Sequence, residues 1–116
     1  MGVDLKLLPA YNGSGWFFPD MFDLERSSSL WPFFEELKQS EVPEPIYCYL
    51  ATMRNDNQGY GSLSETPYGD PLKWTTVEQI LSLRNHKEVQ NHSKSRAAFA
   101  YLAELPATWR VILYWH

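Results

Sequence analysis

The chain has little with which to staple, ligate or span. One of its 116 residues is cysteine, Cys48, so no disulfide can form within it. Cys48 lies in the apolar run IYCYLATM, where a small buried hydrophobe is expected rather than a nucleophile, which needs an electropositive, partly open setting. No run approaches the ~18 apolar residues of a membrane span. The opening MGVDLKLLPAYNG lacks the basic and apolar regions of a secretory leader, and Lys6 stands where myristoylation requires Ser or Thr. These absences lead to the expectation of a cytoplasmic protein with no membrane partner. His86 and His92 are six apart, without a cysteine pair or an H-E-x-x-H pattern, so no metal site is expected. GSLSET offers Ser62 and Ser64 without a G-x-S-x-G elbow, and Gly59-Tyr60-Gly61 is not followed by the Lys-Ser/Thr of a phosphate loop. No catalytic residue and no cofactor is therefore assigned, and an enzyme built on loop carboxylates and a histidine ranks last. Repeats and low-complexity tracts are also missing.

What is present is aromatic. Rings make up 16% of the chain, including five Trp and seven Tyr, more than a core of this size needs. Some are expected at the surface, where Tyr and Trp suit contact sites, against the plainer alternative of an aromatic-rich core with hydroxyls at its edge. Hydrophobic residues at 44% and charged residues at 21% suit one folded domain over 1–116.

The net charge of −4 is unevenly spread. Residues 1–45 hold eight acids against three bases, whereas residues 46–116 hold six acids against seven bases. Arg84, Lys87, Lys94 and Arg96 cluster with a single acid, Glu88. An acidic patch that includes Glu35 and Glu36 could meet a basic partner, and the basic stretch 84–96 could hold phosphate. Alternatively the two patches pair with each other or are ordinary solvated surface. Overall acidity argues against nucleic acid as a bulk partner.

Alternation in VDLKLL predicts a half-buried strand ending at Pro9. Trp16, Phe17 and Phe18 form either a clamp over the core or a sticky edge, and MFDLE suggests a short strand. Ser29 is the expected cap of a helix over LWPFFEELKQ, with Pro32 in its first turn and Leu30, Phe33, Phe34 and Leu37 on one face. IYCYLATM reads as a strand, and residues 72–74 as a shorter one. The T-x-x-E of Thr75 and Glu78 predicts a helix beginning at Thr76. NHKEVQNHS reads as a polar connection. Asn91 or Ser93 would cap a last helix whose inner face holds Ala98, Tyr101, Leu102 and Leu105. TWRVILYWH is strongly β-type and is expected to pair beside the first strand. The order implies an α+β fold: a mainly antiparallel sheet of three to five strands with about three helices packed on one face.

Between these elements, residues 54–71 read as a polar loop of unusual length for so small a chain. Tyr60, Ser62, Ser64, Glu65, Tyr68 and Asp70 combine rigid amphipathic rings with adaptable polar neighbours, the mixture found in contact loops. This makes the loop, with Glu35 and Glu36, the candidate binding surface. The alternative is a small-ligand or nucleotide-signal site in which Arg84, Lys87, Lys94 and Arg96 hold phosphates while Tyr60 or Trp74 stacks on a base.

SETPYGDPLKW, the opening MGVDLKLLP and the ending VILYWH resemble a set of small uncharacterised proteins encoded by phages and prophages. The resemblance covers both ends and the centre but carries no catalytic motif and no functional residue. It implies a setting: small phage accessory proteins often bind and inhibit a host enzyme or defence complex, anti-CRISPR and anti-restriction proteins among them. A non-enzymatic protein that binds and modulates a host protein is the expectation, with oligomeric state, including a homodimer, left open.

Overall fold

The run Val111-Ile112-Leu113-Tyr114 is buried at every position. A strand with both faces covered must lie inside a sheet between two layers, and the rest of the architecture follows from it. The computed structural model describes residues 3–13, 15–49 and 59–116. Strands are β1 (Leu5–Pro9), β2 (Phe17–Phe18), β3 (Phe22–Asp23), β4 (Ser40–Glu41), β5 (Ile46–Tyr49), β6 (Tyr60–Leu63), β7 (Lys73–Thr76) and β8 (Arg110–Trp115). Helices are α1 (Trp31–Glu35), α2 (Val77–Leu81), α3 (Lys87–Gln90) and α4 (Ser93–Ala103).

Five strands form an antiparallel sheet in the order β3-β1-β8-β7-β4. As expected, β8 lies beside β1, with Leu5 opposite Trp115 and Pro9 opposite Val111. Leu5, Leu7, Val111 and Leu113 point to a core closed by Trp31 and Phe34 of α1, Val77 and Ile80 of α2, Val89 of α3, and Ala98, Phe99 and Leu102 of α4. Helices thus cover one face, within the expected α+β class. The opposite face carries Leu8, Ile112 and Tyr114 and is covered by a second sheet, order β2-β5-β6. In it β2 runs parallel to β5, and β5 antiparallel to β6. Phe18, Ile46, Cys48 and Leu63 form its inner face. Arg110 pins one side of this interface: its guanidinium lies 4.2 Å from the Trp16 ring centroid and 5.4 Å from that of Trp74, and it donates to the Gly15 carbonyl.

Several local expectations need correcting. Ser29 does not cap α1. The Ser27 hydroxyl accepts from Leu30 N–H at 3.2 Å, and the Ser29 hydroxyl donates instead to Glu88 at 3.2 Å. The inner face of α1 holds Trp31 rather than Phe33. The helix is only five residues long, so Trp31 and Phe34, three apart, define its buried side and Phe33 turns out against His86. Thr76, not Thr75, caps α2 by accepting from Gln79 N–H at 3.3 Å. Thr75 belongs to β7, where its hydroxyl donates to the Lys38 carbonyl. The polar connection contains α3, organised by buried Val89 and by His86 Nδ1 accepting from Glu88 N–H. His92, with no side-chain capping bond, precedes α4, whose inner face takes Phe99 while Tyr101 lies partly exposed against Phe22.

Candidate functional site

The segment read as one long loop has a different form. Residues 60–63 are a strand, and residues 50–58, which include the end of IYCYLATM and the start of the expected loop, lie outside the described residues. Beyond β6 the chain makes a built turn. Glu65 pairs with Pro71 across an isolated bridge, Leu72 N–H donates to the Ser64 carbonyl, and Thr66 N–H donates to the Asp70 carbonyl at 2.8 Å. Gly69 N–H closes on the Thr66 carbonyl at 2.9 Å, with Pro67 at the second turn position, where its fixed φ fits. Gly69 has φ +84°, which disfavours any residue with a Cβ. Thr66 is buried and its hydroxyl accepts from Tyr68 N–H. The glycine and prolines that suggested a loop in fact make a tight reversal between two strands.

This arrangement divides the expected contact residues. Tyr60 and Ser62 lie on the outward face of β6. Pairing sets Tyr49 opposite Tyr60, Tyr47 opposite Ser62 and Phe17 opposite Tyr47, so one face of the second sheet gathers rings. Tyr47 stacks on Tyr60 with centroids 5.8 Å apart and planes 14° apart. Tyr49 meets Tyr60 edge-on at 5.2 Å, Phe17 contacts both Tyr47 and Tyr60, and Tyr11 extends the group through Phe17. The rings hold one another yet stay wet: Tyr11 is 56% exposed, and Tyr47 and Tyr60 are each 49% exposed. Phe17 belongs to the triplet read as a clamp or a sticky edge, whereas Tyr47 and Tyr49 were missed by loop-based reasoning. The signal that could have found them is the alternation in Ile46-Tyr47-Cys48-Tyr49, which must send tyrosines outward if the aliphatic and thiol side chains go in.

Tyr68 and Asp70 stand elsewhere, on the 66–69 turn and its exit. They line a groove of about 590 Å³ with Glu35, Trp31, Lys73 and Trp115, on the helix-covered face of the main sheet. Ser64 and Glu65 are exposed between the ring face and this groove, and Glu36 is exposed at the end of α1 without lining it. Arg84 and Arg96 share a shallower groove of about 350 Å³ with Val89 and Phe99, whereas Lys87 and Lys94 are exposed outside its lining. Arg96 is committed to the Gln90 carbonyl at 2.5 Å. Tyr60 and Trp74 lie across the main sheet from these arginines, so neither can stack on a base held there.

The expected pairing of the acidic patch with the basic stretch is not found among the described ion pairs; only His116 and Asp23, 4.0 Å apart, join the two halves. Glu88 accepts from the Ser27 hydroxyl at 3.0 Å and from Ser29, with His92 at 3.8 Å, and these contacts, the Ser27 bond first, hold its carboxyl below the usual range. The other ion pairs lie within residues 1–45. Arg26 makes two bonds to Asp4, at 2.8 and 2.7 Å, which lower the aspartate and raise the arginine. Lys6 pairs with Asp23. His116 packs beside these groups, and its pKa is lowered, first by burial and next by Lys6. These contacts fasten the strands and offer no reacting atom a nucleophile and base together.

Among the described residues, no group of three or more His, Cys, Asp or Glu is placed to hold a metal ion, and no helix is long and apolar enough to cross a membrane. No family model, curated protein or solved structure matches the chain.

Proposed function

We propose that the chain is a binding protein that acts by contact with another protein, and that the outer face of β2, β5 and β6 is its contact surface. One observation carries the reading: Tyr11, Phe17, Tyr47 and Tyr60 form a continuous group of touching rings on a sheet surface, and three of them are about half exposed. Rings already restrained by neighbours lose little freedom when a partner covers them, and the three tyrosines each present a large apolar area with a hydroxyl at its edge. Such rings are the usual carriers of interface energy. The sequence resemblance to phage accessory proteins would make the partner a host protein, with antiviral defence enzymes of the anti-CRISPR or anti-restriction target class first among the candidates.

The test is site-specific photo-crosslinking in host lysate from position 47 and, as a control, from position 104 on the helix layer. A partner caught from position 47 alone, and lost on Tyr60→Ser, supports the reading. Equal capture from both positions, or none from position 47, overturns it.

A second reading rests on the groove shared by Arg84 and Arg96, where an anionic ligand would find two guanidinium groups above the apolar wall of Val89 and Phe99. A nucleotide that binds there only in the folded state would raise the melting temperature. The absence of a shift at millimolar nucleotide removes this reading.

A further inference from the structure

The geometry points to a binding site for an organic cation, a guanidinium or alkylammonium group on a hydrocarbon stem, in the groove between α1 and the 66–69 turn. The groove's volume of about 590 Å³ falls in the ordinary range for small-ligand sites. Its floor and walls are aromatic: Trp31, Trp115 and Tyr68. Two carboxylates, Glu35 and Asp70, and one amine, Lys73, are the charged groups of the lining, so acid outweighs base.

These three charges are not taken up by the protein's own contacts. Among the described residues, no ion pair or side-chain hydrogen bond uses the carboxylate of Glu35 or Asp70 or the amine of Lys73. Elsewhere Asp4, Asp23 and Glu88 are all engaged. Arg26 is held by both oxygens of Asp4, the chief cause of its raised pKa, and does not neutralise the groove.

The walls are also fixed in place. Trp31 Nε1–H donates to the Val3 carbonyl at 2.6 Å, and its ring meets Trp115 edge-on at 5.7 Å. Gln39 donates to the carbonyls of Phe34 and Glu35, which steadies the end of α1. Opposite, the 66–69 turn is closed by its own hydrogen bonds. A cation entering here meets two carboxylates, while its stem lies along ring faces that attract positive charge. Lys73 opposes the same ligand, which gives the inference its sharpest test. This site lies across the main sheet from the proposed protein contact face, and each stands if the other fails.

The experiment follows the indole N–H signals of the full chain by NMR during titration with agmatine, with an acetylated, amidated arginine tripeptide as a second arm and sodium acetate as a control. Expected is a saturable shift of the Trp115 indole with agmatine or the tripeptide. It should weaken about tenfold or more in each of Glu35→Gln and Asp70→Asn, tighten in Lys73→Gln, and stay unchanged in Glu104→Gln. Tighter binding of the tripeptide than of agmatine identifies a protein side chain as the natural source, and the reverse a free amine; both uphold the site. Three results overturn it: no saturable shift at tens of millimolar ligand, equal binding by the folded Glu35→Gln/Asp70→Asn double variant, or binding that Lys73→Gln abolishes.

Discussion

The two covers of the main sheet solve the same problem in different ways. The helix layer closes one face with Trp31, Phe34, Val77, Ile80, Ala98, Phe99 and Leu102, and turns mostly charged and small side chains to water. The second sheet closes the other face with Phe18, Ile46, Cys48 and Leu63, then presents Phe17, Tyr47 and Tyr60 on its outer side. A helix can gather its apolar residues into one stripe, whereas a two-sided strand must place every second residue outward. That the outward positions, Ser62 apart, are filled with rings rather than with Lys, Thr or Glu is the chemical difference between the covers. It marks the second sheet as the surface with something left to bury.

The largest effect tests whether the two covers are one structure. Leu7 and Leu8 are adjacent, fully buried, and point to opposite cores. Leu7→Ala and Leu8→Ala should each lose about 2–5 kcal/mol in urea unfolding. A small loss for Leu8→Ala alone would mean that the second sheet adds little to the cooperative unit. Next, Tyr47→Ser with Tyr60→Ser should cost partner binding about 2 kcal/mol or more while altering stability by about 1 kcal/mol, as expected where exposed rings are kept for contact. A stability loss matching the core variants would reassign the rings to structure. Smaller still are the local fastenings. Thr76→Ala, which removes the α2 cap, should cost about 1 kcal/mol, and Gly69→Ala, which forces a Cβ into a left-handed position, should cost a similar amount.

The pH dependence bears on the helix cover and on the sheet edge by β1. In the folded chain the carboxyls of Glu88 and Asp4 sit below their usual range, Glu88 chiefly through the Ser27 hydroxyl and Asp4 chiefly through Arg26. Their stabilisation is complete at neutral pH and is lost as pH falls through the normal carboxyl range toward the folded values. His116 is depressed by burial, so the unfolded chain takes up its proton first, and stability begins to fall below a pH of about 6.5. Both effects have the same sign: the melting temperature should decline steadily from pH 7 into acid. In Glu88→Gln the carboxyl part of that slope should become shallower, while His116→Gln should flatten only the upper part.

Much of the scaffold could be read from local pattern. VILYW announces a central strand by being apolar on both faces, and Thr76 with the following apolar spacing places α2 within a residue. The α1 cap was misread because Ser27, Ser28 and Ser29 are chemically equivalent in sequence. Glu88, 59 residues away, engages the Ser29 hydroxyl, Ser27 accepts from Leu30 N–H, and α1 begins without a side-chain cap. The candidate site was partly legible. Glu35, Tyr68 and Asp70 were singled out from residue type, and the fold brings them to one groove. Trp31, Lys73 and Trp115 could not be added to them, because no spacing rule connects a helix, a turn and two strands.

By itself, then, the sequence determined an α+β chain with a paired last strand, a polar segment around TPYG and more aromatic surface than a core requires. These follow from side-chain periodicity and turn chemistry, which act over a few residues. Only the tertiary structure decided that the aromatic excess collects on the outer face of a second sheet, and that the supposed single loop is divided between that face and a groove on the other side. Both depend on strand register and layer packing, and those are fixed by which apolar residues can share a core across the whole chain.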